Sequence, residues 1–289
     1  MSESLENIKT VAIIAGGGNL PMEIINGLSQ KDIKVFLILL KNEASDELYA
    51  FDHELISIFE FKRLVEILKK NNIKNIILAG SVKSRPQWLA LRFDLITFFA
   101  LYKIVTALKR GDDTLLKAFI KFLESYGFKV LAAQKLLPDL LAPKKSVLTK
   151  KNPTKADEKD ISLALKAAYL LGKLDIGQGA IAVNGRVVAV EGAEGTDNML
   201  KRIEEMRLEG RIPAHGGVLV KCSKPGQELR ADLPTIGTTT IDNIVRAKLS
   251  GLAIEQGHSF IVNKEQTYKR ANDHGIFIKT FDVKDYEEI

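Results

Sequence analysis

The chain alternates short unbroken apolar runs with longer stretches in which apolar positions recur every three or four residues. Val11–Ala15 is a β-type run that ends at Gly16-Gly17-Gly18, and Leu20–Leu28 follows at helical spacing. Val35–Leu40 predicts a second buried strand and Phe61–Lys70 a helix. Asn75–Ala79 predicts a third strand, ending at Gly80; after a gap come a helix over Thr114–Tyr126 and a strand over Lys129–Ala132. Strands alternating with helices imply a parallel sheet with right-handed crossovers, of Rossmann-like character.

From Pro138 to Asp157 the chain turns to Pro, Lys and Asn with little periodicity, which reads as an interdomain linker. The expected division is therefore an N-terminal domain over 1–147 and a C-terminal α/β domain over 148–289. The second half opens with a helix over Lys159–Lys173, the loop Asp175–Gly179 and two strands, Ala180–Val183 and Val187–Glu191. Asn184-Gly185 between them is a hairpin signal, because both central residues of a type I′ turn need positive φ. This half is expected to be mixed rather than purely parallel. A helix over Asp197–Glu209, a strand over Val218–Cys222, a polar loop to Thr240, a helix over Ile241–Ser250 and a strand over Phe260–Val262 complete the pattern.

At 289 residues, with 46% hydrophobic and 27% charged positions, the composition is that of an ordinary globular protein. The net charge of +6 is spread along the chain, and no aromatic-basic stripe accompanies it, so a nucleic-acid partner is not expected. The lone Cys222 forms no internal disulfide, and His53, His215, His258 and His274 lack zinc-type spacing. MSESLENIKT has no apolar core of the signal-peptide kind, which points to a cytoplasmic protein. Arg92, Asp94 and Lys103 interrupt the apolar stretch Trp88–Leu108, so it reads as an amphipathic helix rather than a span.

The chemistry-bearing residues fall in loops. Gly17, Gly18 and Asn19 lie where a strand feeds a helix, a place that suits an anion, although the spacing is not G-x-G-x-x-G. Gly80, Ser81 and Lys83 follow a strand's carboxyl end, the edge on which open α/β sheets bind ligands. Asp112 and Asp113 precede a helix and can cap it or face a ligand. In the second half, Gln178, Glu191, Glu194, Thr196 and Asp197 occupy glycine-bearing loops, where carboxylates can hold Mg²⁺ beside a substrate's phosphates. Lys221, Lys224 and Arg230 supply phosphate-type cations. Asp232, placed before a proline-constrained turn, can bind a metal or activate water.

The segments IAGGGNLP, LAGSV…RP, RGDD, LDIGQG, VEGAEGTDNML and RADLPTIG occur in this order. Together they resemble the UDP-2,3-diacylglucosamine pyrophosphatases of lipid A biosynthesis, the kind unrelated to calcineurin-like metallophosphoesterases, from about Lys9 to Phe281. The resemblance implies a cytoplasmic, Mg²⁺-dependent enzyme whose two domains hold the substrate between them. It also implies hydrolysis of UDP-2,3-diacylglucosamine to UMP and 2,3-diacylglucosamine 1-phosphate, with Asp232 as the catalytic candidate. Arg230 and Lys224 are expected to assist Asp232. Gly17, Gly18, Asn19, Gly80, Ser81, Lys83, Asp112, Gln178, Thr196 and Lys221 are expected to contact substrate, and Glu191, Glu194, Asp197 and Asp232 the metal. The apolar Trp88–Leu108 stretch is the expected wall of an acyl groove, and transient contact with the inner-membrane surface is compatible with such a substrate. A hydrolase or transferase of soluble nucleotide-sugars and a non-catalytic nucleotide-lipid binding module are the alternatives.

Overall fold

A computed structural model describes residues 8–58, 60–82, 112–144 and 146–286. The chain forms two compact units. The first runs to Pro138 and takes in Glu228–Asp232 as well; the second comprises Asp139–Gln227 and the residues from Leu233 onward.

In the first unit, β1 (Thr10–Ala15), β2 (Lys34–Leu40), β3 (His53–Ile56), β4 (Asn75–Ala79) and β5 (Lys129–Val130) form one sheet in the order β3-β2-β1-β4-β5. All neighbours pair in parallel, with Ile13 opposite Leu37 on one side and Ile77 on the other. Helices α1 (Leu20–Ser29), α2 (Phe61–Lys70), α3 (Asp112–Ser125) and the single turn α4 (Ala133–Leu136) connect or follow the strands. A parallel sheet needs both faces covered, which is why β1 reads as a continuous apolar run. Ile14, Ile38, Leu68, Ile76, Ile120 and Leu123 share one core cluster. Phe61 packs against Phe119 and Phe122 of α3.

In the second unit, α5 (Lys155–Lys173) leads to the hairpin β6 (Gly179–Val183) and β7 (Arg186–Val190). Then come α6 (Gly195–Leu208), β8 (Val218–Lys221), β9 (Thr235–Ile236), α7 (Thr238–Arg246), β10 (Gly251–Glu255), β11 (Phe260–Ile261), α8 (Lys264–Asp273) and β12 (Phe277–Phe281). The main sheet has the order β12-β10-β8-β6-β7. β8, β10 and β12 are parallel, while β6 runs against both β8 and β7. One face buries Ala164, Leu165 and Ala168 of α5 with Val218, Val220 and Phe277. The other buries Met199 and Ile203 of α6, Ile241 and Ile244 of α7, and Leu219.

The α/β class, the parallel first sheet and the mixed second one are as expected. The hairpin turn carries positive φ at Asn184 (50°) and Gly185 (77°). Both of its amides donate to the buried Asp160 carboxylate, at 2.9 and 2.7 Å.

Other expectations change. The units part at Pro138/Asp139 rather than at 147/148, and the expected linker pairs within the second unit. Leu141 bridges Phe260 and Val147 bridges Lys279, while the Ala142 and Leu148 amides donate to Ser259 and Ile278. Helix α5 begins at Lys155 because Thr154 and Asp157 form a capping box. Strands β3, β10 and β12 and helix α8 were not foreseen. Their apolar runs are short, and Gly251 stands where a Cβ would come within 2.5 Å of the Phe277 ring, so tertiary packing defines that strand.

Candidate functional site

At the carboxyl edge of the first sheet, the order reverses between β1 and β4, the crevice at which doubly wound sheets bind ligands. Here the two strand-end loops are laced together. The Gly16 amide donates to the Ala79 carbonyl, while Gly17 and Ser81 exchange amide-to-carbonyl hydrogen bonds of 2.8 and 2.9 Å. The Gly18 amide donates to Ser45 Oγ at 2.9 Å. The glycines permit this approach: a Cβ on Gly16 would sit 2.3 Å from the Ser81 carbonyl oxygen, and one on Gly80 2.6 Å from that of Gly17. The open donors expected at Gly17 and Gly18 are therefore engaged by the protein itself. Asn19 precedes α1 without a side-chain cap hydrogen bond. Lys83 and the Trp88–Leu108 stretch lie outside the described residues, and the side chain of Asp112 does too.

The segment Glu228–Asp232 docks on α3 in the first unit. The Glu228 amide donates to Asp113 Oδ1 at 2.8 Å, and Lys117 pairs with Asp113 Oδ2 at 2.5 Å. Arg230 donates through Nε and Nη2 to the two oxygens of Glu228, at 2.8 Å each, and through Nη1 to Glu124 at 2.6 Å. Gln134 Nε2 donates to the Leu229 carbonyl, and Ala231 packs on the apolar cluster beneath. The paired guanidinium holds Glu228 below the usual carboxylate range, and the Glu228 carboxylate in turn raises Arg230 further. Arg230, expected as a phosphate cation, is thus a docking residue that fixes the backbone on which Asp232 is carried. Asp232 is partly buried, and its amide donates to the Glu228 carbonyl.

In the second unit, four of the sequence-predicted residues, Gln178, Glu191, Thr196 and Lys221, gather at the carboxyl end of β8. Lys221 is 6% exposed, and no hydrogen bond or ion pair engages its ammonium among the described residues. It lies opposite Gly179 in the β6–β8 ladder, so the two positions share a sheet face, with Cβ sites about 5 Å apart. Leu219, two residues earlier, marks that face as the one covered by α6 and α7. A Cβ on Gly179 would lie 2.9 Å from Glu191 Oε2 and 3.5 Å from Met199 Cε of α6, which brings the first turn of α6 over this spot. Glu191, buried, accepts from the Thr196 hydroxyl at 2.7 Å and from the Gln178 amide at 3.3 Å. The N-cap, Glu194, makes no side-chain cap hydrogen bond. The amides of Thr196 and Asp197 carry no protein acceptor among the described residues, so the positive end of the helix remains open. Gln178, Glu191, Thr196 and Lys221 are therefore drawn together, as a cation on a largely buried residue beside an open helix start.

The expected metal ligands are not drawn together as a set. Glu194 pairs with Arg202 at 2.5 Å, and Asp197 Oδ1 accepts from the buried Asn243 at 2.6 Å. Among the described residues no group of three or more His, Cys, Asp or Glu side chains gathers as a metal site. Lys224, expected beside Asp232, pairs with Asp175 at 2.7 Å, its backbone packed on Gly172 near the end of α5. Sequence inspection missed Glu228 and Glu124 as the clamp on Arg230, Asp113 as the acceptor for the Glu228 amide, and Asn243 as the partner of Asp197. The acid two residues before Arg230 was the available signal for the first; nothing in the sequence signals the second.

Burial, with the nearby Glu255 and Glu191 carboxylates, pushes the Cys222 thiol up to about 12. Among the described residues no helix is long and apolar enough to cross a membrane.

Comparison with known proteins fits this architecture. The LpxI N-terminal domain family matches residues 10–140, and the LpxI C-terminal domain family residues 144–279. A curated relative, UDP-2,3-diacylglucosamine pyrophosphatase LpxI of Caulobacter vibrioides, is 34% identical over 280 residues, which is 96% of this chain and 99% of that protein. Among solved structures, a biotin carboxylase domain of Hydrogenobacter thermophilus 2-oxoglutarate carboxylase aligns at 13% identity and a TM-score of 0.21. It covers 70% of this chain and 41% of the other, and carries no argument about fold or function. Two family domains in tandem across both units, and identity to the relative along nearly its whole length, establish that the chain belongs to the LpxI family.

Proposed function

We propose that this protein hydrolyses the pyrophosphate of UDP-2,3-diacylglucosamine, releasing UMP and 2,3-diacylglucosamine 1-phosphate, on the cytoplasmic side of the membrane. The observation that carries this reading is Lys221, a residue only 6% exposed whose ammonium meets no hydrogen-bond or ion-pair partner among the described residues, beside the open start of α6. A lysine whose stem is packed in the fold while its ammonium is left unpaired offers a preplaced positive charge, and an anionic phosphoryl group is the ligand that suits it. Helix amides and a lysine in a water-poor setting suit the charge that develops as a pyrophosphate bridge breaks. The family membership supplies the identity of the substrate, through the name of the Caulobacter relative.

Lys221 and the Thr196 and Asp197 amides are assigned to holding a phosphoryl group. Glu191 positions Thr196 through its hydroxyl. Asp232 is assigned the directing of water, on the strength of the family motif. Mg²⁺ would add neutralisation of the phosphate charge. Glu191, Glu194 and Asp197 each meet a protein partner and do not gather as a set among the described residues. The ion is assigned to Asp232 on the strength of the family motif, with the substrate's own phosphates as its further ligands.

The test is to incubate the purified full-length chain with detergent-dispersed UDP-2,3-diacylglucosamine and follow UMP. Release of UMP with Mg²⁺, abolished by EDTA and restored by Mg²⁺, is expected. Lys221→Met should keep its fold and lose about 10²–10³ in kcat/KM, the usual effect of removing one transition-state donor. Folded protein that forms no UMP would sink the assignment; undiminished turnover in EDTA would remove the metal from it, and an unaffected Lys221→Met would remove Lys221.

A further inference from the structure

Helix α5 segregates its charges. Its acids all turn inward or are paired: Asp157 caps the helix start, Asp160 holds the β6–β7 turn, and Glu158 receives Lys279 at 2.6 Å. Its lysines point the other way. Lys155, Lys159, Lys166 and Lys173 are all exposed. At 100° per residue, Lys159, Lys166 and Lys173 fall within one narrow stripe, because seven residues make nearly two turns. Leu170 shares that stripe, and Leu174 and Ile176 extend it past the helix end, whereas Leu163 turns to the core. Leu170 is 46% exposed, Leu174 71% and Ile176 48%. Nearby Asp175 is not an opposing charge, since it is paired with Lys224.

An exposed helix face that is basic and aliphatic at once has the chemistry of an interfacial helix: aliphatic side chains enter the acyl boundary while lysines meet anionic headgroups. We propose that the outer face of α5, with Leu174 and Ile176, is the surface by which this protein docks on an anionic lipid bilayer. A second copy is a poor occupant, because an isologous contact would set the lysines of one chain against those of the other. Three aliphatic side chains also fall far short of the roughly 800 Å² per partner that a stable interface buries. Nucleic acid would use the lysines but has no use for Leu170, Leu174 and Ile176. The inference does not depend on the proposed hydrolysis, although a membrane-borne lipid substrate gives such docking a purpose.

The test is co-sedimentation of the full-length protein with vesicles of phosphatidylcholine alone and of phosphatidylcholine with 30% phosphatidylglycerol. Binding to the anionic vesicles only, weakened by salt, is expected. The double variants Lys166→Glu/Lys173→Glu and Leu170→Glu/Leu174→Glu should each bind at least tenfold more weakly while hydrolysing detergent-dispersed substrate as the parent does; each lysine near such a surface is worth about fivefold. The proposal falls if the protein ignores anionic vesicles or if both variants bind undiminished. It also falls if the leucine variant instead dissolves a dimer seen by analytical ultracentrifugation, or if duplex DNA binds to this face in place of lipid. Vesicle binding without UMP release would leave this inference standing and overturn the proposed function.

Discussion

Arg230 grips Glu228 by two parallel hydrogen bonds, Nε to Oε1 and Nη2 to Oε2, each 2.8 Å long. The pair closes a short loop of chain, and Nη1 ties that loop to Glu124 on α3. A planar guanidinium can make all three contacts at once; a lysine ammonium cannot reproduce the fork.

Arg230→Lys should therefore loosen the segment that carries Asp232 more than it unfolds the protein. We expect a stability loss of about 1 kcal/mol, as befits a partly exposed pair, and a fall in kcat of tenfold or more with KM little changed. Thermal denaturation and steady-state kinetics on the same sample separate the two effects, and an unchanged kcat would show that the docking has no part in turnover.

The same pair predicts an acid limit. Glu228 titrates below its ordinary value in the folded protein, so it binds fewer protons there than when unfolded. Its contribution is fully present above the unfolded value of about 4.3 and is lost as pH falls through the lower folded value. Proteolysis or hydrogen exchange at residues 228–232 should rise in this acid window in the parent. Glu228→Gln, already lacking the charge, should show a flat profile there.

Cys222 is buried at the end of β8 with its thiol pushed up to about 12. Thiolate is the reactive form, so native protein at pH 8 should resist iodoacetamide and an aromatic disulfide reagent, and react with one equivalent once unfolded in guanidinium. Rapid labelling of the native chain would show that this strand end opens.

Gly16→Ala places a methyl group where the Ser81 carbonyl oxygen already stands, 2.3 Å away. Backbone on both sides must move, so a loss of about 1–3 kcal/mol is expected, read as a lowered thermal midpoint of the first unit. Gly18→Ala meets no neighbouring atom but imposes a side chain at φ 87°, and should cost about 1 kcal/mol.

Much of this protein follows from local pattern. The continuous apolar run of β1, the helical spacing of α2 and the Asn184-Gly185 turn each have a physical cause acting over a few residues, so the α/β class and the mixed second half were legible before any coordinate. So were Gln178, Thr196, Glu191 and Lys221 as residues of interest, because polar side chains in glycine-bearing loops and at strand ends serve no packing need. Their convergence was decided only in three dimensions: strand pairing set Lys221 opposite Gly179, and the entry of α6 brought Glu191 and Thr196 over the same point. The role of Arg230 was likewise invisible, since its partner Glu124 lies 106 residues away and no local rule relates them. Charge type can be read from one residue, but whether a charge meets a protein partner or remains open to a ligand depends on pairings that only the folded chain makes.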